Sequence, residues 1–373
     1  MLPVSTYCRC VGHDHVWKDE RVTQITIFGA GAIGGCIGAH MVRAGETVQF
    51  IDKMVDHVEA MNSHGMRITG TETFTVPANA CTPDELRGPL DLVFLAVKSQ
   101  DTDAALDILA PLAGPETIVV SLQNGMNGPS IAARLSAEQV IPAFMSFPAD
   151  WQAPGHIEQG GAGNIWIGEM DGQLTERLQH IKQLLAHAVT AHITENIFGY
   201  LWAKQIDCSL LFAQAVTNET FAGVYGDRRY QPLLVALLGE GVAAACAAGV
   251  RLECFDELDL LKMQPQTPAE EEEAMAILKR FAEFWAPRVK VRSGPWRDLA
   301  VRKRATEVDH MIGWVIDEGR RRGLALPLNA HLVQMVKEIE RGQRTHALSN
   351  LDELEAQRQA LYGTRMGPPQ MSP

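Results

Sequence analysis

Positive charge is scarce in this chain of 373 residues, and the scarcity limits what the protein can bind. Lysine and arginine together number 33 against 45 aspartate and glutamate residues, which gives a formal net charge of −12. Because nucleic acid is bound through a clustered positive surface, we expect no nucleic-acid partner. A small anionic substrate needs only a few local cations, so the net charge does not exclude one.

Long apolar runs and a cysteine framework are missing as well. No apolar run reaches the ~18 residues that a membrane-spanning helix requires, and residues 1–22 lack the apolar segment of a secretory signal. The 7 cysteines are odd in number and scattered along a long chain, which is not typical of a disulfide framework. These absences favour a cytoplasmic protein with no membrane association.

Residue types that bind zinc cluster near the N-terminus. The segment CRCVGHDH places Cys8, Cys10, His13 and His15 close together, and both residue types are zinc ligands. Their spacing matches no common structural zinc site, and they precede the first clear strand pattern. We therefore interpret residues 1–21 as a flexible extension and predict no metal site.

The order of apolar patterns predicts two domains, as the chain length also suggests. Over residues 22–197 buried-strand patterns alternate with helical ones, which indicates a parallel sheet wound on both faces. Residues 154–170 carry glycine-rich turns between short strands and are interpreted as a sheet edge of mixed direction. This part is predicted to be an α/β, Rossmann-type dinucleotide-binding domain.

Beyond residue 198 the strand signal ends and helical periodicity takes over. Five stretches carry it: 198–217, 228–249, 268–285, 298–323 and 328–341. We predict an all-helical domain over 198–350 that provides the substrate and catalytic groups, followed by a tail over 351–373. An apolar stripe over 228–249 is expected to pack within this domain or against a second copy of the chain, as in a homodimer.

A glycine-rich turn joins the first strand to the first helix. Its residues, in the G-x-G-x-x-G pattern, are Gly29, Ala30, Gly31, Ala32, Ile33 and Gly34. The first glycine permits a tight turn, the second lets the backbone approach a pyrophosphate, and the third allows close packing of helix on strand. Since the run directly follows a strand pattern and opens a helix pattern, it predicts a dinucleotide site.

Four polar residues at predicted strand ends are candidates for contacts with that dinucleotide. Asp52 is placed to bind an adenosine ribose, which favours NAD, whereas Lys53 beside it could meet the 2′-phosphate of NADP. Lys98 and Asn124 end the next two buried strands, where ligands bind in such sheets. Lys98 is equally compatible with a solvated strand end, and Asn124 with a turn.

The apolar helical segment YLWAKQIDCSLLFAQA contains one lysine, Lys204. Burying a cation is costly unless a partner shares its charge. Cys208 and Phe212 fall on the same helix face as Lys204, so its ammonium would stand in a partly apolar setting. By this pattern alone Lys204 is either a catalytic group or a lysine whose stem covers apolar surface while its charge reaches water.

Seven motifs, in order over residues 24–341, resemble those of the ketopantoate reductase (2-dehydropantoate 2-reductase) family. They are GAGAIGG, AVKSQDTDAAL, VSLQNGMNG, PGHIEQGGAGNIWIG, LWAKQ, RATEVDHMIGWV and GLALPLNAHLVQMVKEIE. The resemblance implies a Rossmann domain, a helical domain and reduction of a 2-oxo acid by a nicotinamide cofactor, usually NADPH. It further implies that Lys204 is the catalytic acid, Glu307 its carboxylate partner, Lys98 a nucleotide contact and Asn124 a cofactor or substrate contact.

The substrate side departs from the family pattern. Members that use ketopantoate carry asparagines four and eight residues after the catalytic lysine, where this chain has Cys208 and Phe212. The usual substrate-binding serine has no clear counterpart, although Ser293 is nearby and Arg297 could clamp a carboxylate. We therefore expect a small oxo-acid substrate that is either ketopantoate or a different one.

Other interpretations predict different behaviour. A β-hydroxyacid dehydrogenase also joins a Rossmann domain to a helical one, but the QNG and TEVD motifs argue against that class. A sensor that binds the dinucleotide without catalysis would not need Lys204 and Glu307 together. Asp207 is interpreted as a solvent-facing or salt-bridge residue rather than a second acid, and Glu307 could merely pair with the cations that precede it.

Overall fold

The computed structural model describes residues 24–256, 258–287 and 291–368, so the interpreted extension 1–21 and its Cys/His group lie outside the described residues. The described chain forms two compact units. The first holds residues up to Val97, Ala104–Leu122 and Gly128–Ile197. The second holds everything from Phe198 onward together with two short segments, Lys98–Asp103 and Gln123–Asn127.

The first unit is built on an eight-stranded sheet with the order β12-β11-β8-β7-β6-β1-β2-β5. All neighbouring strands in it are parallel except the antiparallel pair β8 and β11. Its strands are β1 Ile25–Phe28, β2 Val48–Ile51, β5 Asn79–Cys81, β6 Leu90–Leu95, β7 Ala113–Ser121, β8 Val140–Ser146, β11 Asn164–Ile167 and β12 Thr190–Ile193. The predicted α/β class is therefore confirmed.

Both faces of this sheet are buried by helices, as the continuous apolar runs predicted. Ile27, Phe94 and Val120, one from each of three neighbouring central strands, are all completely inaccessible to solvent. The helices are α1 Ala32–Ala44, α2 Val55–His64, α3 Thr102–Leu109, α4 Gly128–Arg134 and α5 Glu176–Leu185.

A second, four-stranded sheet was not anticipated from the sequence. Its order is β4-β3-β10-β9, formed by β3 Met66–Gly70, β4 Phe74–Val76, β9 Ala149–Ala153 and β10 His156–Gln159. The glycine-rich stretch 154–170 thus contributes one strand to each sheet rather than forming a single edge. Strand β10 joins the small sheet through a parallel pairing with β3, from which it is separated by more than 80 residues of sequence.

The second unit is helical. Its helices are α6 Ile197–Ala215, α7 Phe221–Tyr225, α8 Gln231–Ala247, α9 Pro268–Trp285, α10 Gly294–Ala300, α11 Ile312–Arg321, α12 Pro327–Glu340 and α13 Ser349–Tyr362. None of the helices in the described part of the chain is both long enough and apolar enough to span a bilayer. The predicted all-helical character of this part is confirmed.

Two helical boundaries predicted in this unit are wrong. The helix expected over 298–323 is interrupted, because Lys303 has a left-handed backbone with φ 49° and Thr306 donates its backbone N–H to the Glu340 carboxylate instead of to a helical carbonyl. Glu307 therefore lies in a turn before α11. The tail expected from residue 351 is instead mostly helix α13, which buries Leu351 and Leu354 completely.

Glu240 of α8 is hydrogen-bonded to helices α12 and α13, and these bonds are predicted to stabilise the folded protein. Its carboxylate, 1% exposed, accepts hydrogen bonds from the backbone N–H groups of Leu328 and Asn329 at the start of α12 and from the Tyr362 hydroxyl of α13. Glu240→Ala should lower the free energy of unfolding by about 3 kcal/mol, since it leaves several buried donors without an acceptor. Chemical denaturation measures the change.

The matched control is Glu272→Ala, which removes a carboxylate that is 64% exposed. Its effect should stay within about 0.5 kcal/mol. Equal stability of the two variants would show that the Glu240 contacts do not stabilise the junction of α8, α12 and α13.

Candidate active site

The glycine turn after β1 is tightly packed at two of its three glycines. Gly29 has φ +102°, a conformation that favours glycine, and a side chain there would lie 2.8 Å from the Ala96 carbonyl carbon. At Gly34 an added Cβ would overlap the Gly29 carbonyl oxygen, because α1 packs so closely on the turn. At Gly31 an added Cβ would meet nothing within 4 Å. Of these three glycines, only Gly31 has open space where a side chain would lie.

Helix α1 begins at that open space. Its first turn contains no acidic residue, so the partial positive charge of the helix N-terminus is not neutralised locally and can attract an anion. Ala30 in the turn accepts a hydrogen bond at 2.9 Å from Nε2 of His57, whose Nδ1 accepts one from the Gly155 backbone N–H. His57 is 1% exposed, and its two hydrogen bonds connect the glycine turn to the Gly155 backbone.

Asp52 and Lys53 follow β2, as the sequence indicated. Asp52 is half-buried and accepts a hydrogen bond from the Met54 backbone N–H at 3.0 Å through one carboxylate oxygen, while Lys53 is exposed. The residues present therefore fit a dinucleotide: an open backbone cradle, a helix N-terminus and a carboxylate at the end of the second strand. The preference between NAD and NADP stays open.

Lys98 belongs to the second unit and has a carboxylate partner there. Its Nζ lies 2.6 Å from Oδ2 of Asp298, on α10. Burial by itself would raise the pKa of Asp298, but the hydrogen bond and charge of Lys98, helped by Arg304, bring it below the ordinary value. Asp298 also pairs with Arg302, so three cations share one carboxylate and the group retains positive charge.

Ser99 connects the segments that carry Lys98, Asn124 and Glu307. Its backbone N–H donates to Oε1 of Glu307 at 3.0 Å, and its hydroxyl donates to the backbone carbonyl of Asn124. The Asn127 amide donates to both that hydroxyl and that carbonyl. These bonds hold the two short segments Lys98–Asp103 and Gln123–Asn127 against the Glu307 turn.

Lys204 on α6 is paired with Asp207, three residues further on. Nζ lies 2.9 Å from Oδ2 of Asp207 and 5.6 Å from the ring centre of Phe255. The Lys204 side chain is 18% exposed and the Asp207 side chain 3%. Burial opposes the charged ammonium, but the charge and hydrogen bond of Asp207, together with further nearby groups such as Asp256, outweigh it and raise the pKa of Lys204.

The residues predicted to bind the substrate differ in their burial and in their contacts. Cys208 and Phe212 are completely buried on the same helix as Lys204, and burial raises the pKa of the Cys208 thiol. Ser293 caps α10 by accepting a hydrogen bond from the Trp296 backbone N–H at 3.1 Å, and Arg297 on that helix is half-buried. Their contacts with substrate stay a prediction.

The sequence did not predict the structural roles of Ser99, His57 and Asp298. Each acts through a partner far away in sequence, 200 residues away for Asp298 and Lys98, so no local pattern indicates it. The pairing of Asp207 with Lys204 could be anticipated, because residues three apart face each other on a helix. Of the two interpretations of Asp207, the salt-bridge residue matches the observed pair.

Comparisons with known proteins agree with this geometry. Two family models match: "Ketopantoate reductase PanE/ApbA" over residues 25–172 and its C-terminal counterpart over 196–340. A 2-dehydropantoate 2-reductase of Mesorhizobium japonicum is 31% identical over 252 residues, which cover 61% of this chain and 77% of the relative.

Solved structures share the fold over nearly their whole length. A PanE/ApbA family ketopantoate reductase from Ralstonia eutropha is 27% identical with a TM-score of 0.72, covering 86% of this chain and 99% of that one. D-Mandelate dehydrogenase with NADH and anilino(oxo)acetate has a TM-score of 0.75 at 19% identity, with the same coverage. The chain belongs to the ketopantoate reductase family and is an NAD(P)-dependent oxidoreductase acting on CH–OH groups.

Proposed function

We propose that the protein reduces the ketone of a 2-oxo acid to a hydroxyl group, with Lys204 as the acid. The observation that carries this proposal is the state of Lys204, a mostly buried ammonium that a carboxylate keeps charged. A buried ion pair is often less favourable than apolar side chains in its place, and its retention on α6 in a member of this family is explained by chemistry on an oxygen that becomes negative.

The chain's own residues account for the other requirements of the reaction. The bound nicotinamide supplies the hydride. Gly31 and the start of α1 hold the pyrophosphate, and the proposed ribose contacts come from Asp52 and Lys98. Lys204 donates a hydrogen bond to the ketone oxygen, stabilises the negative charge that develops there, and transfers a proton to it. Glu307 holds the segment that carries Lys98 by accepting the Ser99 backbone N–H.

Ketopantoate is the first substrate candidate, because the curated relative acts on 2-dehydropantoate by its name. A different small 2-oxo acid is the second. Cys208 and Phe212, in place of two asparagines, make the Lys204 face of α6 apolar, which suits an apolar side group better than a hydroxylated one. The fold also occurs in D-mandelate dehydrogenase, so fold alone does not choose between the two candidates.

A cofactor-oxidation screen tests the proposal. Purified protein is mixed with ketopantoate and with linear, branched and aromatic 2-oxo acids, each with NADH and with NADPH, and the loss of absorbance at 340 nm is followed. We expect turnover of at least one 2-oxo acid with one of the cofactors. Tight cofactor binding without turnover of any of them would favour the non-catalytic sensor.

Replacing Asp52 should shift the preference between the two cofactors. In Asp52→Ser the carboxylate that accepts from a ribose and repels a 2′-phosphate is removed, so the ratio of kcat/KM for NADPH to that for NADH should rise by about tenfold or more. Steady-state kinetics with both cofactors measures the ratio. Glu59→Gln, an exposed carboxylate change on α2, should leave it unaltered. An unchanged ratio in Asp52→Ser would remove Asp52 from the nucleotide site.

A further inference from the structure

The Lys204–Asp207 pair is not an ordinary surface ion pair. Asp207 is 2% exposed, and its Oδ2 accepts a hydrogen bond from Lys204 at 2.9 Å. Its other oxygen, Oδ1, is buried and has no hydrogen-bond partner among the described residues. A carboxylate placed only for stability would have both oxygens satisfied, because an unsatisfied buried acceptor costs free energy. The arrangement therefore calls for a role beyond stabilising α6.

The carboxylate expected to hold Lys204 is engaged elsewhere. Glu307 accepts the Ser99 backbone N–H at 3.0 Å, while the ion-pair partner of Lys204 is Asp207, one helical turn along α6. Since both members of that pair lie on one helix, their separation depends on side-chain rotamers only. The direction of the ammonium is thus set within α6.

Among the described residues, few other charged or titratable groups act on Lys204. Beyond Asp207, the charge of Asp256 acts on the ammonium; the Cys208 thiol is kept neutral by its burial, and the Phe255 ring lies 5.6 Å from Nζ of Lys204. Desolvation by burial raises the pKa of Asp207 and outweighs the attraction of Lys204. The 2.9 Å hydrogen bond between Nζ of Lys204 and Oδ2 of Asp207 nevertheless makes this carboxyl group the nearest support of the ammonium.

We propose that Asp207 is the positioning residue of the reaction, orienting the Lys204 ammonium toward the substrate oxygen. The inference rests on the proposed reductase function and assigns to Asp207 the task that the family resemblance implies for Glu307. In the proton transfer an N–H bond of Lys204 breaks and an O–H bond forms on the substrate oxygen. The resulting neutral amine is reprotonated from solvent, while Asp207 stays ionised throughout.

The test compares Asp207→Asn and Asp207→Glu with the unaltered protein. Asp207→Asn removes the largest of the charges that offset the burial of the ammonium, so the pH at which activity falls on the alkaline side should drop by at least ~1 unit. We expect kcat to fall by on the order of 100-fold with KM for the cofactor unchanged. Asp207→Glu keeps the charge and should restore the alkaline limb of the pH profile.

A second readout does not depend on turnover. Competitive acylation of lysines with acetic anhydride, followed by mass spectrometry, reports the pKa of Lys204 directly. At pH 8 Lys204 should be about tenfold more reactive in Asp207→Asn than in the unaltered protein, since more of it is unprotonated. This measurement tests the role of Asp207 even if no 2-oxo acid is reduced. Failure of the proposed reductase function can therefore be distinguished from failure of the inference about Asp207.

Glu355→Gln is the matched control. It removes the carboxylate of another i,i+3 pair, Glu355 with Arg358, at 2.8 Å and with side chains 16% and 7% exposed. It should change neither the pH profile nor the acylation of Lys204. An unaltered pH profile and unaltered Lys204 reactivity in Asp207→Asn would overturn the inference. If that variant does not fold, kcat and the acylation of Lys204 in Asp207→Glu decide. Because the longer side chain keeps the charge but moves it, a lower kcat with normal Lys204 reactivity supports the positioning role, and an unaltered kcat contradicts it.

Discussion

Lys204→Ala is expected to lower kcat/KM for the 2-oxo acid by about 10³-fold or more, while the dissociation constant of the cofactor stays unchanged. The loss combines the proton donor with the charge that stabilises the developing negative oxygen. Cofactor affinity is spared because the glycine turn and the start of α1 belong to the other unit. Steady-state kinetics and a fluorescence titration with the reduced cofactor measure the two quantities.

The same substitution should also destabilise the protein, and this effect has to be separated from catalysis. Without Lys204, Asp207 is a buried carboxylate lacking its counter-charge, so the free energy of unfolding should fall by about 3 kcal/mol. The double variant Lys204→Ala/Asp207→Asn removes that uncompensated charge and should recover stability but not activity. Lys262→Ala, at a lysine 48% exposed, should alter neither. Weakened cofactor binding in Lys204→Ala with normal turnover would contradict the catalytic assignment.

Gly31→Val is expected to weaken cofactor binding by at least about 100-fold, or ~2.7 kcal/mol, with little loss of stability. A side chain at this position meets no protein atom within 4 Å, but it fills the space through which the backbone would approach the pyrophosphate. Isothermal titration with the cofactor and thermal denaturation of the free protein separate binding from folding.

Gly34→Val serves as the contrasting variant. Its Cβ would overlap the Gly29 carbonyl oxygen and lie 2.8 Å from the Ile27 side chain, so we expect a loss of about 3 kcal/mol in the free energy of unfolding. Gly114→Val, where an added Cβ also meets nothing within 4 Å, is the control away from the turn. Normal cofactor affinity in Gly31→Val would remove the glycine turn as the phosphate site.

Particular elements show how far sequence patterns reach. The order of strand, glycine turn and helix at residues 25–44 was predicted correctly, because the period of apolar residues and the turn chemistry are local properties. The helix expected over 298–323 failed for a non-local reason. Glu340, on another helix, captures the backbone of Thr306 and leaves Glu307 in a turn.

The small sheet illustrates the same limit. Its central pair joins β3 to β10 over more than 80 residues of sequence, and its strands are only 3 to 5 residues long. Strands that short carry too little periodicity to be distinguished from loops. Only the packing of the chain determines that they pair.

By itself the sequence determined the class of fold, the glycine turn and the position of Lys204 on an apolar helix. These follow from backbone and apolar periodicities that act over a few residues. Only the tertiary structure decided that Lys98 meets Asp298, and that Lys204 meets Asp207 rather than Glu307. The physical reason is that an ion pair needs its atoms within a few ångströms of each other, in surroundings whose burial sets its strength. Neither the distance between the two charged groups nor their burial can be read from the sequence alone.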